Sequence, residues 1–238
     1  MERETARDRD PRLVTGMVRQ LAARAAAIDA GARPLGWKVA LGAPASQQAA
    51  GIDQRVVGHL TDRSVLADGA TVAIGDWTQP KIEGEIAIHL AADVPAGADA
   101  ETAAAAIGAL GAAIEVVDTS HPLSELERLL AEGIFHRGVV LGPPVAARAG
   151  GDDSGIVVSA SLDGAEVARA EDPRSAIGGS PAEVVQFVAE QLAHDGLSLR
   201  AGDVIIGGSA IPLTPVAPGQ RLRLEVAPLG VLELDFTD

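Results

Sequence analysis

Residues 11 to 30 place Leu13, Met17, Leu21, Ala25 and Ile28 at helical spacing, and Gly31 and Pro34 close the pattern, so an amphipathic helix is predicted there. The apolar period then drops to two. In "LGWKVAL" (35–41) Trp37, Val39 and Leu41 share one face of a short strand and Lys38 takes the other. A polar loop and "TVAIGDW" lead to "QPKIEGEIAIHL" (79–90), a strand with Ile82, Gly84, Ile86, Ile88 and Leu90 on one face and Glu83, Glu85, Ala87 and His89 on the other. The stretch 99–113 predicts an alanine-rich helix, and "AIEVVD" (113–118) a strand with Glu115 and Val117 on one face. Residues 124–133 predict a helix that opens on a Ser-x-x-Glu capping box and closes on Gly133.

The second half is mostly strands. A hairpin is predicted around Asp163-Gly164, and a closing hairpin from "RLRLEV" and "VLELDF" turns Leu222, Leu224, Leu232, Leu234 and Phe236 inward. Between them, 180–196 is the clearest helix: Ser180 caps, Pro181 starts, Glu183 completes the box and Gly196 terminates. "AARAGGDDSG" (146–155) reads as a mobile loop. Strands in irregular order that outnumber helices predict an α+β fold around a curved or rolled mixed sheet, not a doubly wound one. The expected organisation is one functional unit, with a small N-terminal helical/α+β subdomain over 1–70 and a core over 71–238.

Composition narrows the class. With 47% apolar residues but no apolar run near the ~18 of a membrane span, a soluble globular protein is expected. The charged start "MERETARDRD" does not read as a secretory signal, and the absence of cysteine excludes disulfides and thiolate chemistry, so a cytoplasmic location is expected. A net charge of -14 argues against nucleic acid and anionic membranes as partners. Only two of the 19 basic residues are lysines, Lys38 and Lys81, so a lysine stands out where arginine is the habitual cation.

Glu83 and Glu85 point the same way from one strand, with attachment points about 6.8 Å apart, where two charges repel by roughly 2.4 kcal/mol at an effective dielectric near 20. That spacing calls for a positive partner or a screening solvent. Glu83, Glu85 and Glu115, all on strands and without cysteine or paired histidine nearby, form an oxygen-only donor set suited to Mg²⁺ or Mn²⁺ and less to Zn²⁺.

At these residues the chain resembles the 2-keto-4-pentenoate hydratase and 4-oxalocrotonate decarboxylase branch of the fumarylacetoacetate hydrolase superfamily. The resemblance runs from about residue 11 to the C-terminus and is carried by "GWKVAL", "AGIDQRVVGHLTD", "PKIEGEIAIHL", "AAIEVVDTS" and the tail from "LRAGDVIIGGSA" onward. It implies a fumarylacetoacetate-hydrolase-like sheet roll and a divalent metal held by Glu83, Glu85 and Glu115. It also implies open metal positions for the carboxylate and keto oxygen of a 2-oxo acid. Lys38 would then be a catalytic group in the pocket, a proton donor or an electrophilic partner, and Ser209 a substrate-binding one. A homo-oligomer is implied as well, with or without a related hydratase or decarboxylase subunit.

The departures from the pattern bear on the reaction. Val56 stands where such hydratases carry an acid/base Asp, "AEGIFHRGVVLG" replaces a segment that carries Asn and Ser, and Ser120 stands where Arg is common. His136 and Arg137 are the local substitutes, an imidazole for proton transfer and a fork for a substrate carboxylate; Asp53 and His59 flank Val56. The leading expectation is a metal-dependent lyase, a 2-hydroxypentadienoate hydratase. The rival is a 4-oxalocrotonate decarboxylase, which needs less water-activating apparatus, and a third reading is a non-catalytic subunit partnering an active paralogue.

Overall fold

The computed structural model describes residues 10–238; most of the charged start, residues 1–9, lies outside them. In chain order the elements are α1 (Pro11–Asp29), β1 (Pro34–Ala40), α2 (Pro44–Ala50), β2 (Val56–Thr61), β3 (Val65–Leu66), β4 (Ala70–Ala73), β5 (Pro80–Leu90), α3 (Ala100–Ala106), β6 (Ile107–Asp118), α4 (Leu126–Ala131) and β7 (His136–Leu141). The second half adds β8 (Val157–Leu162), β9 (Ala165–Ala170), α5 (Arg174–Ile177), α6 (Pro181–His194), β10 (Val204–Ile206), β11 (Thr214–Pro215), β12 (Arg221–Ala227) and β13 (Gly230–Thr237). Two mixed sheets result. The larger runs β2-β1-β10-β5-β6-β7-β3 with β11 attached to β5, and the smaller runs β4-β13-β12-β8-β9. This is the expected α+β architecture, and strands from before residue 70 pair directly with strands from after it, β1 lying between β2 and β10.

The two faces of β5 do different work. Ile82, Ile86 and Ile88 turn into the main core with Leu222, Leu224, Leu232, Leu234 and Phe236 of the second sheet. Gly84 keeps that interface close, since a Cβ there would sit 2.6 Å from a methyl carbon of Leu224. The other face carries Glu83 and Glu85 toward the N-terminal helix and the loops. There α1 packs on α4 through Leu13, Met17, Leu126 and Leu130. Buried Gln20 ties the layers together, donating to the carbonyls of Val57 and Leu130 while accepting from the His59 amide.

Four local expectations change. The alanine-rich run is helical only over α3, which Asp99 caps by accepting from the Thr102 amide; β6 begins at Ile107. From there residues 107–113 pair with β5, and this non-local ladder outweighs alanine's helix preference, helped by Gly108 and Gly111. The predicted capping box at Ser124 does not form: α4 starts at Leu126 behind Glu125 with no side-chain cap, because a turn from the Glu125 amide to the Pro122 carbonyl precedes it. The stretch read as a polar loop after β1 contains α2, started by Pro44 and ended by left-handed Gly51. The loop 146–155 contains a short 3-10 turn over 146–151, with Arg148 donating to the carbonyls of Asp152 and Ser154. The Asp163-Gly164 hairpin and the Ser180–Glu183 capping box form as predicted.

The strand that carries Lys38 depends on one glycine. Gly36 has φ +148, and a Cβ there would fall 1.9 Å from the Val204 carbonyl oxygen across the parallel β1–β10 pair. Gly36→Ala is expected to cost about 3 kcal/mol or more, since backbone cannot yield as a side-chain tip can. Urea denaturation read by circular dichroism checks this; a loss under ~1 kcal/mol would mean that β1 shifts freely.

Candidate active site

The register explains how the site assembles. Lys38 pairs with Ile206, Ile206 with Ala87 and Ala87 with Gly111, which puts Lys38 on the same sheet face as Glu83 and Glu85 but three strands away from β6. In a flat sheet that separation is about 14 Å. Yet Lys38 Nζ lies 2.5 Å from Glu115 Oε1, so the sheet is rolled with this face concave and the buried lysine spans the hollow. Its ammonium also donates to the Ile134 carbonyl at 2.9 Å. Gly58 makes room for the stem: a Cβ there would approach Lys38 Cγ to 2.9 Å.

Glu83 sits directly across from Glu115, and one carboxylate oxygen from each of Glu83, Glu85 and Glu115 lies within 4.8 Å of the others. Burial, aided by the Glu115 charge, pushes the Glu83 carboxyl up to about 8, with Lys38 pulling the other way. Burial also drives Glu85 well above the usual carboxylate range, with Glu115 and Glu83 adding to it. Burial would raise Glu115 too, but the Lys38 ammonium and then His136 outweigh it and hold that carboxyl at about 2. One carboxylate is thus neutralised by protein groups, and two resist ionisation. The Gly208 amide donates to Glu85 Oε2 at 2.7 Å, while Glu85 Oε1 and Glu115 Oε2 are buried without a hydrogen-bond partner. Unpaired buried carboxylate oxygens are costly unless a cation takes them. The donor set is all oxygen, so Mg²⁺ or Mn²⁺ fits it.

The cluster opens into a cavity of about 860 Å³ whose wall includes Lys38, Lys81, Glu83, Ser120, His121 and Ser209 among apolar groups such as Leu41, Val117, Phe135 and Ile211. That is ample for a small ligand. Ile134 and Phe135, both wall residues, have φ of 56° and 66°, rare for a β-branched and an aromatic residue. This backbone turns the Ile134 carbonyl onto Lys38, so the "GIFHR" segment shapes the pocket by main chain more than by side chain.

The sequence-predicted residues fall in three places. Lys38, Glu83 and Ser209 line the cavity, where Ser209 Oγ donates to the Ile211 carbonyl at 2.6 Å, and Glu85 and Glu115 lie buried beside Glu83. His136 stands behind Glu115, its Nδ1 2.7 Å from the same Oε1 that Lys38 holds, and it is not a wall residue. Arg137 lies outside the wall, half exposed, over the Trp77 ring and 3.4 Å from an Asp118 oxygen. Val56 shares the Lys38 face of the sheet but packs with Leu13, Met17, Leu130 and Ile134. His59, half-buried on β2, is held down at about 4 by burial, with the Arg24 and His136 charges adding to it. The Gly208 amide and the Ile134 carbonyl carried no readable side-chain signal; Gly208 was visible only as part of the "GGS" motif.

A rolled mixed sheet that gathers three carboxylates and a lysine beside one cavity has the all-oxygen donor set that could hold a divalent metal. The chain matches the fumarylacetoacetate (FAA) hydrolase C-terminal family over residues 37–237, and it belongs to that family. Among curated relatives it is similar to a 2-hydroxyhexa-2,4-dienoate hydratase of Comamonas testosteroni, 29% identical over 213 residues (87% of this chain, 80% of the relative). It is also similar to a 4-oxalocrotonate decarboxylase of Pseudomonas sp, 27% identical over 212 residues (88% and 81%). Both relatives are lyases. Among solved structures, the 4-oxalocrotonate decarboxylase from Pseudomonas putida G7, complexed with magnesium and adipate, superposes with a TM-score of 0.85 at 23% identity (94% of this chain, 86% of that one), which shows the shared fold.

Proposed function

We propose that this protein is a Mg²⁺- or Mn²⁺-dependent lyase of short 2-oxo acids, acting on 2-hydroxypentadienoate (2-keto-4-pentenoate) as a hydratase. The observation that carries this is the trio of carboxylates with two unpaired buried oxygens beside a lysine locked to one of them. Glu83, Glu85 and Glu115 would hold the metal, which when bound supplies Lewis-acid stabilisation of the charge that builds on the 2-oxygen. Glu115 divides its labour: Oε1 fixes Lys38 and His136, which leaves Oε2 free. Lys38, anchored at two points, presents its remaining donor capacity to the cavity and meets the keto oxygen or carboxylate of the substrate. Apolar walls around the reacting carbons exclude bulk water and strengthen these charge interactions. His136 acts through Glu115, as the group that keeps its carboxylate oriented.

Decarboxylation of 4-oxalocrotonate (2-oxo-3-hexenedioate) is the second reading, and Val56 favours it. The position that would hold a water-activating Asp is embedded in apolar side chains, and decarboxylation builds the same charge on the 2-oxygen without needing that base. Purified protein with Mg²⁺ or Mn²⁺, offered 2-hydroxypentadienoate and 2-oxo-3-hexenedioate, separates the two: metal-dependent loss of dienoate absorbance identifies the hydratase, CO₂ release the decarboxylase. Turnover of neither would leave the non-catalytic partner subunit. A cytoplasmic, homo-oligomeric protein, alone or with a related lyase subunit, completes the proposal. Among the described residues no helix is long and apolar enough to cross a membrane.

A further inference from the structure

Water addition needs a group on the cavity wall that takes a proton from the water, and the position expected to supply it, Val56, lies among aliphatic side chains. The titratable side chains of the wall are Lys38, Lys81, Glu83 and His121. Lys38 is held by Glu115 and the Ile134 carbonyl, and Glu83 belongs to the carboxylate trio. Lys81 has no hydrogen bond or ion pair with any described residue, but an ammonium offers donors and no acceptor. His121 is left. Of the five histidines it alone stands on that wall: His136 is behind Glu115, His59 and His89 lie elsewhere on the sheet, and His194 ends α6.

The loop between β6 and α4 sets its place. The Asp118 amide donates to the Phe135 carbonyl at 3.0 Å, so this loop leaves β6 beside the segment 132–135. His121 Nε2 lies 3.5 Å from Glu132 Oε2, and two residues after Glu132 comes Ile134, whose carbonyl holds Lys38. The imidazole and the lysine thus share one short segment as an anchor. Arg128 Nε donates to Glu132 Oε1 at 2.8 Å and fixes that carboxylate. A carboxylate at Nε2 favours the tautomer with its proton there, which leaves the lone pair on Nδ1. The His121 side chain is 25% exposed, so water reaches it while the wall still shields it from bulk solvent.

We propose that His121, oriented by Glu132, is the acid/base group of hydration. This rests on the hydratase reading above. From the 2-oxo-3-pentenoate tautomer of 2-hydroxypentadienoate, a water oxygen bonds to C4 and its proton passes to Nδ1. The C3=C4 electron pair moves toward C2, and its charge settles on the 2-oxygen, which Lys38 meets. The imidazolium then returns the proton to C3, the product is 4-hydroxy-2-oxopentanoate, and His121 is neutral again. One water is consumed and no other co-reactant is needed. Val56 then marks an acid/base that has moved to another loop.

The test is steady-state hydration of 2-hydroxypentadienoate with Mg²⁺, beside calorimetric titration of Mn²⁺-loaded protein with 2-oxopentanoate, which has the 2-oxo acid end but no alkene to hydrate. His121→Gln should lose about 100-fold or more in kcat while binding 2-oxopentanoate as wild type does. Glu132→Gln, which removes the orienting charge, should lower kcat by a smaller factor and leave KM in place. Unchanged melting temperatures verify that both variants fold. Hydration by His121→Gln at the wild-type rate would overturn the proposal and leave the hydratase reading standing. Equal losses in turnover and in 2-oxopentanoate affinity would also overturn it, because His121 would then hold the 2-oxo acid end and not the attacking water. Absence of hydration in wild type would remove the hydratase reading and this proposal with it.

Discussion

Lys38→Arg is expected to lose about 100-fold or more in turnover while the protein keeps its fold and its metal affinity. Charge is conserved in this change, so the loss comes from shape. The ammonium satisfies Glu115 Oε1 and the Ile134 carbonyl from a compact, rotatable head at the end of a stem that is 1% exposed and packed against Gly58. A planar guanidinium needs more space and aims its donors in a fixed fork, so it cannot reproduce both contacts and still face the cavity. Steady-state kinetics with 2-hydroxypentadienoate and 2-oxo-3-hexenedioate, run beside a Mn²⁺ titration, check it. Wild-type turnover by Lys38→Arg would remove Lys38 from the mechanism.

The second large effect concerns the carboxylates. In wild type, Mn²⁺ at 100 times its dissociation constant should stabilise the fold by about 2.7 kcal/mol, because the unfolded chain scatters the three ligands. In the double variant Glu83→Gln, Glu85→Gln that increment should vanish. Without metal, the variant should melt no lower than wild type. Burial already holds the Glu83 and Glu85 carboxyls against ionisation when no metal is bound, so the neutral glutamines give up little, and each keeps an oxygen that can accept, at Glu85 from the Gly208 amide. Differential scanning calorimetry with and without Mn²⁺ reads both effects, and an equal metal-induced shift in the two proteins would place the metal elsewhere.

Much of this site is visible in the sequence because a strand declares its faces locally. The period of two in "KIEGEIAI" puts Glu83 and Glu85 together whatever the strand packs against, and "GWKVA" likewise sets Lys38 against Trp37 and Val39. Hairpins and capped helices whose signals lie within a few residues, such as Asp163-Gly164 and Ser180–Glu183, also form as read. One error fell where a distant partner decides: residues 107–113 are good helix formers in isolation and a strand beside β5. The other is local, for Ser124 has the spacing of a cap but loses the position to the turn between Pro122 and Glu125.

The sequence by itself determined which residue types line up on each strand and that three carboxylates share one chemistry. Only the tertiary structure decided which of them meet a cation from the protein and which are left for one from outside. Lys38 and Glu115 are separated by three strand spacings, and their contact exists because the sheet rolls. That curvature belongs to the packing of two sheets through Gly84 and Leu224 and to no short stretch of chain. The same packing sends His136 behind Glu115, turns Arg137 out over Trp77, buries Val56 among aliphatic side chains and leaves Lys81 alone on the cavity wall. Local periodicity fixes the face a side chain leaves from; the order and curvature of the strands fix what it finds there.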